Sequence, residues 1–156
     1  LSAFTKLTDV TMSPTAGYTS IQLPDGIKSF KSIIKYANHE PVGPTTLDLT
    51  QYTDLEYVSV MDSYGEPAAL KSLNVSGLSK LALLYVGGTA EVNIANCPLL
   101  TCIQNYGTYE SGFYWSGYDS QTIIVESEAK RDQLKTSWKE VMGYGEENPA
   151  NAWTIQ

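Results

Sequence analysis

Apolar residues return along this chain in one fixed order, separated by short polar stretches. From Leu70 the order is L-x-x-L-x-V-S-x-x-x-x-L-x-x-L-x-V, which divides into two short apolar runs with a polar turn between them. Alternating apolar positions in such short runs are typical of half-buried β-strands. Five copies of the order run through the chain, and the apolar positions of the three clearest copies are Leu47, Leu49, Leu55, Val58 and Val60; Leu70, Leu73, Val75, Leu81, Leu84 and Val86; and Val92, Ile94, Leu100 and Ile103.

The period of this order predicts the fold. An apolar ladder that returns every ~20 to 29 residues is typical of a leucine-rich-repeat solenoid, in which stacked neighbours bury an apolar face that no repeat buries alone. The predicted fold class is α/β leaning to all-β: a leucine-rich-repeat solenoid of stacked short parallel strands with a C-terminal capping helix. An antiparallel β-sandwich is the competing fold, because strands about 11 residues apart also suit it.

Each repeat is predicted to contain a first strand, A, and a second strand, B. The step from A to B is nearly constant at about 11 residues, whereas the step from B to the next A varies more than two-fold. A sandwich gives no reason for this difference, but a solenoid with its insertions on one face does, so we expect the variable loops to line one rim. The predicted A strands begin at Ile21, Leu47, Leu73, Val92 and Ile123, and the B strands at Val10, Ile33, Val58, Leu84 and Ile103.

The chain is predicted to divide into a solenoid over residues 1–125 and a C-terminal cap over residues 126–156. A terminal repeat has no neighbour to stack on, so its open end requires a cap with a polar outer face. Ser127 is a suitable helix N-cap, and Leu134 and Trp138 follow at a helical spacing on one side. The cap is therefore predicted to be a helix followed by a final strand.

Composition narrows the classes of partner. The chain has 156 residues, 42% of them apolar, and a net charge of −7. Its 10 Lys and Arg residues do not cluster, so nucleic acid, which requires a basic face, is not an expected partner. No apolar run reaches the roughly 18 residues of a transmembrane helix. Because the chain opens in mid-pattern at Leu1 without an initiator Met, we expect it to be a processed or truncated product.

The residues that carry most enzyme and metal chemistry are sparse. His39 is the sole imidazole, and the two cysteines, Cys97 and Cys102, are too few for a four-ligand zinc site. Cys97 occupies a turn position where a buried thiol or amide is common in leucine-rich repeats. No nucleophile elbow, zinc-protease, phosphate-loop or dinucleotide-binding motif appears. We expect no enzymatic activity, no cofactor and no metal.

Several segments suggest a family. LKSLNVSGLSKLALLYVGGT, at residues 70–89, and NCPLLTCI, at residues 96–103, resemble the repeats of bacterial surface leucine-rich-repeat proteins of the BspA-like and internalin-J-like type, which are abundant in gut Bacteroidetes. The tail, with Ile123 to Val125 before a polar helical stretch and Trp153 to Ile155 after it, is similar to the ending of those proteins.

This resemblance implies an adhesin-like module, secreted or held at the cell surface as an outer-membrane lipoprotein. The module would bind a protein or carbohydrate ligand through the rim of variable loops or through the solenoid sheet. A passive spacer domain of a larger cell-envelope protein is the alternative.

The longest insertion carries the candidate binding residues. Residues 106–121 read YGTYESGFYWSGYDSQ, and aromatic side chains with polar edges dominate recognition hot spots. The rim argument places Tyr64 on the same side. Burial of this segment over the last repeat or the cap helix is the alternative to an exposed site. The candidate residues are Tyr64, Tyr106, Tyr109, Phe113, Tyr114, Trp115 and Tyr118.

Overall fold

Strands make up most of the structure, a computed structural model that describes residues 6–13, 20–37, 40–62, 70–87, 89–101, 112–116, 121–142 and 152–156. These ranges contain short strands and one helix, α1, at Glu128–Met142. The strands are β1 (Asp9–Met12), β2 (Ser29–Ala37), β3 (Glu40–Val42), β4 (Thr46–Asp48), β5 (Tyr57–Asp62), β6 (Ser72–Asn74), β7 (Leu83–Gly87), β8 (Glu91–Asn93), β9 (Gly112–Ser116), β10 (Thr122–Val125) and β11 (Ala152–Ile155).

The strands form two parallel sheets. The six-stranded sheet has the order β1-β2-β5-β7-β9, with β3 antiparallel beside β2, and the five-stranded sheet has the order β11-β10-β8-β6-β4. Parallel neighbours need a crossover connection. From β4 to β10 each crossover passes through a strand of the other sheet, because successive strands alternate between the two. The predicted class, mostly strands with one helix, is confirmed.

One apolar core lies between the sheets. In the six-stranded sheet the register aligns Val10, Phe30, Val58, Leu84 and Phe113, and in the five-stranded sheet it aligns Leu47, Leu73, Val92, Ile123 and Trp153. The inner members of both rows are fully buried in one cluster. Because each short strand presents only one or two apolar side chains to the core, burial depends on the strands on either side. The predicted strands at Leu47, Leu73, Val92 and Ile123, and at Val10, Val58 and Leu84, are confirmed.

Two predicted strand positions near the N-terminus are wrong. Phe30, rather than Ile33, pairs with Val58. Ile33, three residues further along β2, pairs with Met61. Ile21 lies outside any strand and is only half-buried against the core. Phe30 follows the fully buried Ile27 by three residues, as Val58 follows Leu55, and this spacing sets the apolar positions of β2. The apolar positions of β2 therefore lie three residues earlier than predicted.

The predicted B strand at Ile103 is also displaced. The strand beside β7 is β9, with Phe113 opposite Leu84, and Ile103 lies outside the described residues. The step from Val92 to Phe113 is therefore nearly twice the predicted one. In this repeat the insertion lies between the A strand β8 and the B strand β9. The expectation that loop length varies only after B strands is wrong here. The segment GFYWS is rich in aromatic residues, which have a high β-propensity. A prediction based on the spacing of apolar residues does not include this preference.

The turns after the five-stranded sheet repeat one hydrogen-bonding scheme. Tyr52, Leu78 and Cys97 occupy equivalent buried positions, each with a carbonyl that accepts from the amide three residues later, at 3.0, 3.1 and 3.2 Å. The Tyr52 hydroxyl also accepts from the Leu23 amide at 2.9 Å, which ties the preceding turn to this one. The prediction that Cys97 is a buried thiol is confirmed, whereas Cys102 lies outside the described residues.

The helix α1 covers the last turns. Ser127 is its N-cap, because its Oγ accepts from the Lys130 amide at 3.1 Å, as predicted. Leu134 is fully buried in the core cluster, and Lys135 lies over the Trp153 ring of β11 at 5.6 Å. The side chain of Trp138 is outside the described set. Within the described ranges no helix has both the length and the apolarity of a membrane span.

Candidate binding surface

The outer face of the six-stranded sheet carries two rows of side chains that point away from the core. One row is aligned as Asp9, Ser29, Tyr57 and Leu83, and the next as Thr11, Lys31, Ser59 and Tyr85. Strand alternation explains their placement, since each lies one residue from a core position such as Phe30, Val58 or Leu84. We call this surface the tyrosine face, defined by these eight residues.

Two tyrosines form the centre of this face. Tyr57 of β5 and Tyr85 of β7 are diagonal neighbours on adjacent strands, with ring centroids 5.8 Å apart and ring planes inclined by 47°. This separation lies in the range of favourable aromatic pairs. Both tyrosines are half-buried, so part of each ring is accessible. The two rings thus form an aromatic platform on this face.

A lysine extends the platform to the next strand. Lys31 of β2 places its Nζ 5.0 Å from the centre of the Tyr57 ring, a distance typical of a cation–π contact. Ser59 separates Lys31 from Tyr85 in the same row and is 8% exposed. A small side chain at this point leaves space between the larger ones. The order across the sheet is therefore ammonium, ring, ring.

The charges at the turn beside the tyrosine face are paired. Lys28 lies 3.0 Å from Glu56, and Lys80 lies 2.6 Å from Asp54 in the neighbouring turns. The hydrogen bond to Glu56 raises the pKa of Lys28, and the hydrogen bond from Lys80 lowers the pKa of Asp54. Exposed pairs of this kind contribute little to stability. Their effect on the face is that they offset one another's charge at its border.

The outer face of the five-stranded sheet is polar, and its side chains support the turns. Asp48, Asn74 and Asn93 each accept from the amide two residues later, at 2.9, 3.1 and 3.1 Å. The hydrogen bonds that Asp48 accepts from the Thr50 amide and hydroxyl lower the pKa of its carboxyl. Asn74 also donates to Asp48, and Asn93 donates to Gln156. The polar groups of this face thus bind one another or the main chain.

The predicted binding residues fall partly on the same sheet. Tyr64, Tyr106, Tyr109 and Tyr118 lie outside the described residues. Phe113, Tyr114 and Trp115 form the middle of β9, where they pair with Leu84, Tyr85 and Val86. Part of the predicted insertion is thus a strand of the six-stranded sheet. The register pairs Tyr114 of β9 with Tyr85 of β7.

Sequence reasoning missed Tyr57 and Tyr85. Each sits in a short segment with few other aromatic residues, so local aromatic density gives no signal for them. The signal that could have found them is the register, because both lie one position from a ladder residue, Val58 or Leu84, on the side away from the core. That inference also requires knowing that β5 and β7 are neighbours.

A second cluster lies where α1 meets the last turn. Lys130 is 6% exposed, and its Nζ donates to the Cys97 carbonyl at 3.1 Å. Burial lowers the pKa of this amine, while the nearby carboxylate of Glu126 opposes the shift. Glu126 in turn accepts from the amide of Asn96, which has a φ of 59°. The arrangement holds the helix on the turn, and its polar groups are used for that purpose.

The described residues offer no cluster of the kind that binds a metal ion, meaning at least three His, Cys, Asp or Glu side chains together. The Cys97 thiol is fully buried and its Sγ lies 3.1 Å from the Val75 carbonyl oxygen, to which it donates. Burial raises the pKa of this thiol to about 11. A thiol is a nucleophile as its thiolate, so Cys97 is a packing residue here.

Cys97 should be protected from thiol reagents in the native protein. With its pKa near 11, the thiolate fraction at pH 8 is on the order of one in a thousand, and the side chain has no contact with solvent. In a Cys102→Ser background, labelling by a chromogenic disulfide should follow the unfolding transition in urea. Native labelling as fast as in urea would contradict the burial of Cys97.

Comparison with known proteins found no match to this chain among family models, curated proteins or solved structures. The candidate surface is therefore defined by the geometry of this chain alone.

Proposed function

We propose that this chain is a leucine-rich-repeat solenoid of the bacterial surface type and that it acts outside the cell as a non-enzymatic recognition module. Its ligand would be a protein or a glycan, bound on the tyrosine face. The repeat spacing, the two parallel sheets with strands that alternate between them, and the family-like segments at residues 70–89 and 96–103 support the proposal.

The observation that carries the proposal is the pair of Tyr57 and Tyr85. Aromatic side chains with a polar edge supply large contact area at a low cost in conformational entropy, and they are enriched at binding hot spots. In this chain the two rings are half-exposed and held 5.8 Å apart by neighbouring parallel strands. A surface that is already ordered before binding loses less entropy when a ligand docks.

A binding screen with paired variants tests the proposal. Wild-type protein and a Tyr57→Ala/Tyr85→Ala double variant would be applied to arrays of glycans and extracellular-matrix proteins. We expect at least one ligand whose affinity falls about tenfold or more in the double variant, as expected for loss of hot-spot side chains. Lys80→Ala, an exposed residue at a turn, is the matched control and should bind like the wild type.

Melting curves show that the variants are folded before their binding is compared. If the wild type bound nothing on either array, the result would contradict a recognition function. It would favour the alternative, a passive spacer within a larger envelope protein. Binding that the double variant retains in full would remove the tyrosine face from the proposal.

A further inference from the structure

We infer that the ligand of the tyrosine face is an uncharged polysaccharide that lies across the strands, with successive sugar rings on successive tyrosines. The inference rests on the proposed function and adds the chemical class of the ligand. Three observations carry it: the spacing of the rings, their inclination and the charge around them.

The spacing of the rings suits a polymer of sugars. Tyr57 and Tyr85 lie on adjacent strands, and their ring centroids are 5.8 Å apart. A step of one aromatic ring per strand is close to the length of one pyranose unit in an extended glycan. The apolar C–H face of a pyranose can lie on an aromatic ring while its hydroxyls remain at the edge.

The inclination of the rings favours a single chain over a flat surface. The planes of Tyr57 and Tyr85 differ by 47°. A flat crystalline ligand would contact one ring and leave the other. In a free glycan chain, successive units rotate about their glycosidic bonds and can meet two inclined rings. The ligand is thus a soluble or disordered polysaccharide chain.

The polar groups of the face fit hydroxyl-rich ligands. Lys31, beside the Tyr57 ring, supplies ammonium donors to sugar oxygens, and Thr11 and Ser29 supply hydroxyls that donate or accept. These groups stand at the margin of an apolar centre formed by the rings and by Leu83. Sugars present the same combination, because they have an apolar face and a hydroxyl edge.

Charge argues against an acidic glycan. The chain carries a net charge of −7, which repels polyanions. At the border of the face, Lys28 is paired with Glu56, and Asp9 lies in the same row as Ser29. Among the eight residues of the face, Lys31 is the one cation and Asp9 the one anion. A surface balanced in this way has no field to attract uronic or sulfated sugars.

The test uses native electrophoresis of the full chain in gels that contain a soluble β-linked glucan, a galactomannan or polygalacturonate. Retardation by at least one of the two neutral polymers is expected, with none by polygalacturonate. Tyr57→Leu and Tyr85→Leu should each weaken the neutral binding about tenfold, since they remove the ring but keep an apolar side chain. Tyr57→Phe and Tyr85→Phe keep the ring and should stay within about threefold of the wild type.

Ionic strength provides the second readout. Binding of a neutral polymer should persist when salt is raised, because screening acts on charged partners. Stronger retardation by polygalacturonate, abolished by salt, would overturn the inference. So would the lack of retardation by either neutral polymer. If the arrays of the preceding section show a protein ligand that depends on Tyr57 and Tyr85 while the gels show no glycan binding, the inference fails and the proposed function stands.

Discussion

Replacement of Phe30 by alanine should lower the free energy of unfolding by about 3 to 5 kcal/mol. Phe30 is 0% exposed and is the largest of the fully buried side chains. It stands in the six-stranded sheet between Val10 and Val58. Loss of the ring removes its transfer free energy and leaves a cavity that short strands on both sides can fill only in part. Urea denaturation followed by circular dichroism would measure the change.

Thr11→Ala is the matched control for Phe30. Thr11 lies in the adjacent strand β1 but is exposed, so we expect a change within about 0.5 kcal/mol. A small effect of Phe30→Ala would show that Phe30 is not a core residue of β2. Ile33, the position that local spacing predicted, would then be the core residue of that strand.

The replacement of Leu73 by alanine should cost about 2 to 5 kcal/mol and tests the five-stranded sheet. Leu73 is 0% exposed and is paired with Leu47 on one side and Val92 on the other. The cavity left by the leucine side chain would weaken the packing of three neighbouring strands, β4, β6 and β8. For a domain of this size each kcal/mol corresponds to roughly 2 to 4 °C in melting temperature, so calorimetry should resolve the loss easily.

Lys71→Ala, two residues earlier and exposed, should leave the melting temperature nearly unchanged. Leu84→Ala, in the other sheet, is expected to resemble Leu73→Ala because Leu84 is equally buried. If the lysine variant lost more stability than the leucine variants, the assignment of inner and outer faces would be wrong in both sheets.

The regular part of the fold could be predicted from the sequence because its apolar period is unambiguous. Around Leu73 and Leu84 the spacing alone fixes which residues face the core, and the register confirms those positions. At the two irregular repeats the period gives more than one solution. Ile33 and Phe30 both satisfy a strand in the segment SFKSIIKYA, and the choice depends on which of them pairs with Val58 of the neighbouring strand. The prediction failed there because the pairing with a neighbouring strand, which local spacing does not show, fixes the register.

The same limit explains the candidate site. Aromatic density within residues 106–121 is visible in the sequence, whereas Tyr57 and Tyr85 meet only because their strands are neighbours. A surface assembled from residues more than twenty positions apart leaves no local trace. Of the predicted residues, Tyr114 is paired with Tyr85 in the register of β9. The spacing of apolar residues predicts this strand at Ile103 instead. The division into residues 1–125 and 126–156 remains a prediction.

The alternation of successive strands between the two sheets has a mechanical consequence. From β6 to β8 each strand is hydrogen-bonded to the strand two elements before it and the strand two elements after it, so these pairings join neighbouring repeats. Tension applied at the termini would load the outermost strands first and peel them away one at a time. A fold built in this way would lengthen gradually and dissipate the pull over many small ruptures.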